Sequence, residues 1–156
     1  MVAAPHLNNQ SAYRFLEGLN MKILRGTVAG GIVFFLLGWL VYGVLLMNYM
    51  TANMNQCAAR PMEEMVWWAM IVSNLLSALL LTLVLKWSGA KGIVDGLKTG
   101  AIFGILLGLS MDLGFWSMTK MYNNFGAVVV DVVVYTLMIA VIGMVIVLLW
   151  GKDKAA

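Results

Sequence analysis

Asp112 and Asp131 are the residues of this chain best placed to carry chemistry, because each sits inside an otherwise apolar run, GLSMDLGFW and VVVDVVVY. A carboxylate held in hydrocarbon costs about 2.5–3.5 kcal/mol on insertion scales, and marks an ion pathway, a proton relay or a paired contact. Each lies about six residues from the end of its run, roughly 9 Å at the helical rise, so antiparallel packing would bring both to one depth. Asn74, Trp39 and Tyr42 fall at comparable depth, with Tyr135 one helical turn from Asp131 and Trp116 one turn from Asp112. Two readings of this polar and aromatic group stand side by side. One is an outward-facing pocket for a proton, a cation or a polar ligand, since two close carboxylates in a low dielectric resist joint ionisation. The other is a hydrogen-bonded clasp between helices.

Other chemistries lack their residues. The sole histidine, His6, stands near the N-terminus, which leaves no imidazole inside the apolar runs for haem, zinc or a Ser-His pair. The one cysteine, Cys57, permits no disulfide within the chain and no Cys-based metal site. No phosphate-binding or dinucleotide loop is present, because the glycine-rich stretch lies within an apolar run and not at a strand-to-helix turn. The expectation is a non-enzymatic protein with no catalytic residue, no metal and no cofactor.

The elements that position the aspartates follow from composition. Of 156 residues 62% are apolar and only 11% charged, far from the usual soluble balance. A crossing of hydrocarbon about 30 Å thick needs about 20 apolar helical residues. Four runs qualify: about Lys22 to Met47, Met65 to Lys86, Gly96 to Met118, and Gly126 to Trp150. The valine-rich part of the fourth would suit a buried strand, but it continues without a break, and an open strand in lipid would leave its backbone groups unpaired. Short links make consecutive helices antiparallel neighbours. The predicted fold is therefore an all-α membrane protein, a four-transmembrane-helix up-down-up-down bundle over residues 22–150.

Charge sets the predicted orientation. Arg14, Lys22, Arg25, Lys86, Lys91, Lys98, Lys152 and Lys154 fall on one side, and only Arg60 and Lys120 on the other. The positive-inside rule then places both termini and the central link in the cytoplasm. Lysines in short juxtamembrane groups give no basic face for nucleic acid, so the lipid bilayer is the expected partner. Residues 1–21 read as a cytoplasmic tail in which SAYRFLEGL could form a short interfacial helix, and residues 151–156 as a second cytoplasmic tail. In the link from Asn48 to Glu64, Pro61 suits the first turn of the next helix, and Glu63 and Glu64 complement its dipole.

Small residues predict how the helices pack. Gly96, Gly100, Gly104 and Gly108 recur every fourth residue in the third run, and Gly26, Gly30 and Gly31 punctuate the first. With no hydrophobic drive between helices in lipid, such rows let backbones approach and gain dispersion contacts. A four-residue step drifts about 40° around a helix, so the row could serve two neighbours, or a second copy of the chain.

The motifs GWLVYG, WWA, GLSMDLGFW and VVVDVVVY, over about Met21 to Trp150, resemble small four-span membrane proteins of unknown function from Bacteroidetes-like bacteria. The resemblance implies the four-span fold and a bacterial inner membrane, and names no substrate. Two functions remain open: a non-enzymatic membrane protein packing with itself or with a larger membrane complex, and a small proton- or cation-coupled carrier or channel-like protein using Asp112 and Asp131.

Overall fold

The computed structural model describes residues 9–58 and 60–150. Helix α1 (Asn9–Leu40) runs into a π-helical turn, Val41–Leu45, followed by α2 (Met47–Asn53), α3 (Trp67–Trp87), α4 (Ile93–Met118) and α5 (Phe125–Leu149). Four stretches are long and apolar enough to cross a membrane: Met21–Leu45, α3, α4 and α5. Among the described residues the chain is all-α apart from one antiparallel bridge between Met54 and Tyr122. It is a multi-pass integral membrane protein, in which helices satisfy the backbone groups that hydrocarbon cannot. The tails at residues 1–8 and 151–156, with His6, Lys152 and Lys154, lie outside the described residues.

Local chemistry explains where the helices start and stop. α3 ends in a Schellman motif: Gly89, at φ 70°, donates its N–H to Lys86 O, and Ala90 N–H bonds Leu85 O. Ala90 and Leu85 are both buried, the apolar contact that accompanies this motif. α4 begins three residues earlier than the apolar run suggests, because the Asp95 carboxylate accepts from the Lys91 and Gly92 N–H groups and caps the first turn. α5 starts at Phe125, capped by Asn124, whose Oδ1 accepts from Ala127 N–H at 3.0 Å. The first link is shorter than expected, since helix continues past Met47 to Asn53.

The packing is that of two antiparallel pairs. α4 lies against α5 along its length and α1 against α3, while the pairs join chiefly through α1 and α5. The core concentrates toward the α3–α4 link, where Leu81, Leu85, Ile142 and Ile146 are fully buried. Dispersion supplies most of its stability, because lipid tails are as apolar as the side chains they would replace.

Glycine permits the α4–α5 approach. A Cβ on Gly96 would stand 2.6 Å from Gly143 O, one on Gly100 2.6 Å from Ile139 O, and one on Gly104 3.0 Å from Thr136 Cα. At Gly108 the nearest atom is a Tyr135 ring carbon at 3.3 Å. At all four positions the closest atoms belong to α5, so the row meets one neighbour and not two. That surface is used inside the chain and is not free to join a second copy. Gly26 and Gly30 seat α1 against both α3 and α5, meeting Thr82 or Ala78 on one side and Ile146 on the other.

Candidate functional site

The carboxyl groups of Asp112 and Asp131 converge on a single atom, the hydroxyl oxygen of Tyr122. It lies 2.9 Å from Asp112 Oδ1 and 2.8 Å from Asp131 Oδ2. The second Asp131 oxygen, Oδ1, accepts from the Tyr42 hydroxyl at 2.6 Å. Asp112 is 7% and Tyr122 5% exposed, so this chain of groups is nearly closed to its surroundings on that side.

Each member is held by a different element. α4 carries Asp112 and α5 carries Asp131, set level by antiparallel packing over the glycine row. Tyr42 comes from the π-helical turn of α1, where Leu46 N–H reaches back five residues to Val41 O at 2.7 Å. Such wide turns are frequent at functional sites. Tyr122 belongs to the α4–α5 link, which is fastened to the first link: Asn55 N–H bonds Met121 O, Asn123 N–H bonds Asn53 O, and Asn124 Nδ2 donates to Asn53 Oδ1 at 2.7 Å. This fastening turns the phenol of a surface link back into the bundle.

The hydrogen count is restrictive. A phenol has one hydrogen and donates it to one acceptor, while an ionised carboxylate can only accept. Contacts to both carboxyls are satisfied together only when one of them carries a hydrogen and donates it to the Tyr122 oxygen. Burial first, then the hydrogen bond to Asp131 and its negative charge, hold the Tyr122 phenol above its ordinary range. Tyr122 therefore keeps its hydrogen, and the proton that the site gains or loses belongs to the carboxyl pair.

A cavity of about 460 Å³ opens beside the pair, where α3 and α4 stand apart. Asp112, Asp131, Tyr42, Tyr135 and Asn74 all line it, with Ser73 and Ser77 from α3, and no lysine, arginine or histidine is among its lining residues. No group of three or more His, Cys, Asp or Glu suited to a metal ion occurs among the described residues.

Of the residues expected at the site, five line this cavity and Trp39 does not. Trp39 is 61% exposed on the outer surface of α1, because the π turn that begins at Val41 changes the helical phase between it and Tyr42. Trp116 turns away to meet Phe125 edge-on, with ring centroids 5.9 Å apart. Tyr122 was not expected from sequence. Its one signal is symmetry, for it stands ten residues after Asp112 and nine before Asp131. In a helical hairpin that makes it the turn residue above both. Comparison with protein-family models, with curated proteins and with solved structures finds no match to this chain.

Proposed function

We propose that this is a non-enzymatic protein of the bacterial inner membrane, akin to the small four-span proteins it resembles, and that it acts as a proton-coupled carrier through the Asp112–Tyr122–Asp131 chain. The observation that carries the reading is the single phenol hydroxyl between two carboxyl oxygens, an arrangement complete only with one proton on the pair. The adjoining cavity gives that proton somewhere to go, which a closed clasp would not need. The eight-to-two division of basic residues supports an external side for the linked 46–66 and 119–124 segments, an orientation that sets the pair in the outer half of the membrane. Assembly with itself or a larger complex through small residues would need a free glycine face, and the α4 row is already covered by α5.

Proteoliposomes with an imposed pH gradient test the proposal. With a quaternary ammonium ion such as tetramethylammonium supplied on the alkaline side as the exchanging cation, wild type should dissipate the gradient faster than empty liposomes, and Asp112→Asn and Asp131→Asn should not, while both variants keep their helix content and elution profile. Equal rates for wild type, both variants and empty liposomes would leave the pair as a structural clasp.

A further inference from the structure

We infer that the cavity beside the aspartates takes a lipophilic organic monocation, a quaternary or protonated amine bearing an apolar group, in exchange for the proton on the pair. The inference rests on the reading of that pair as a proton site and adds its counter-ligand. Charge sets the valence. With its one proton the pair carries a single negative charge; when the proton leaves, two carboxylates face a cavity that no basic side chain lines. One bound positive charge restores the original balance, and the released proton passes to water with no other bond made or broken.

The lining sets the chemical class. Phe34, Phe115, Tyr42 and Tyr135 bring four aromatic side chains to the cavity, and Leu107 and Met111 add further apolar lining. Aromatic groups around a cation are the recognised means of holding quaternary ammonium, whose charge is diffuse and which needs no hydrogen-bond acceptors. The lining also carries oxygens, from the carboxyls, Ser73, Ser77 and Asn74, but an alkali ion would use these alone and leave the four aromatic side chains without a role, so competition by sodium tests the class directly. The volume of about 460 Å³ falls within the range of small-molecule sites, about 300–1,000 Å³, and far exceeds what one metal ion fills.

The surroundings suit a ligand of this polarity. Asn74 lines the cavity and also an apolar groove of about 270 Å³ between α1 and α3, bounded by Gly31, Phe35 and Leu75. A molecule with an apolar body and one charge could rest its body in that groove and pass its charged end by Asn74 to the carboxyls. Toward the links, Tyr42 and Met54 are shared with a second opening, a route for the exchanged proton.

Calorimetry on the purified full chain in lipid nanodiscs tests this, with benzyltrimethylammonium as the probe and neopentylbenzene as its uncharged isostere. Below the pair's titration, saturable binding is expected with about one proton released per cation, read there by repeating the titration in buffers of different ionisation heat. Affinity should fall about tenfold for each unit drop in pH below the pair's titration, the mark of one competing proton. The isostere should release no proton, and excess sodium should not displace the probe. These readouts come from wild type, so they stand even if Asp112→Asn or Asp131→Asn fails to fold; where the variants fold, proton release should vanish. Proton uptake by the ligand-free protein with no probe binding at any pH would overturn the inference and leave the proton site intact. Binding without proton release, or equal binding of the isostere, would overturn it too. A ligand-free protein that takes up no proton assignable to Asp112 or Asp131 would overturn both readings.

Discussion

Replacing Gly100 by alanine adds one methyl group to one of the closest backbone contacts between α4 and α5, and the structure gives the size of the insult. The new Cβ would stand 2.6 Å from Ile139 O and 3.0 Å from Ala140 Cα, both backbone atoms that no rotamer change can move. Carbon–oxygen contacts between close-packed helices sit at about 3.3–3.6 Å, so the helices must part locally by about 0.7–1 Å. A radial gap of that size forfeits roughly a quarter to a half of each dispersion well it opens, and overpacked sites of this kind lose about 1–3 kcal/mol. Alanine recovers up to about 1 kcal/mol of helix propensity, which is too little to reverse the sign. Gly114, in the same helix, has nothing within 4 Å of its would-be Cβ, so Gly114→Ala should be neutral or stabilising. The cost should also decline along the row, with Gly108→Ala mild because its nearest neighbour is a side-chain ring carbon at 3.3 Å. Thermal unfolding in one detergent, followed by circular dichroism, compares the three variants with wild type. Equal midpoints for Gly100→Ala and Gly114→Ala would refute the argument that backbone contact on the glycine row holds α4 to α5.

Tyr122→Phe should cost about 1–3 kcal/mol by leaving one buried carboxyl oxygen without its donor and the hydrogen on the other carboxyl without its acceptor. It should also flatten the alkaline limb of the stability curve: the unfolded wild-type phenol ionises near its ordinary value of about 10 while the folded one stays protonated, so stability present below that pH is lost above it by up to about 1.4 kcal/mol per unit. Unfolding midpoints of the two proteins between neutral and strongly alkaline pH check this, and parallel curves would contradict it. Cys57 is exposed in the first link, so an impermeant thiol reagent should label it in intact spheroplasts; labelling only after lysis would reverse the proposed orientation.

The four crossings were legible from the sequence because two of the rules that govern them act along one dimension. A run long enough to span hydrocarbon has to be helical, and a carboxylate inside such a run must find a partner within the bundle. Those rules marked Asp112 and Asp131, matching depth placed Asn74 and Tyr42 near them, and Tyr135 followed from standing one turn after Asp131. Which way each side chain faces around its helix is a different kind of fact, set by phase and by neighbours. A π turn beginning two residues after Trp39 leaves it on the outer surface while Tyr42 reaches Asp131, and no spacing rule announces that turn. The four-residue drift of the glycine row suggested two partners, whereas α5 alone follows it from Gly96 to Gly108. Tyr122 shows the limit most plainly. A tyrosine in a short polar link has no local reason to enter the bundle, and it does so because bonds to a segment some seventy residues earlier in the chain turn its backbone inward. Contacts between segments so distant in sequence exist only once the helices have packed, so the bridging hydroxyl and the cavity beside it were decided by tertiary structure.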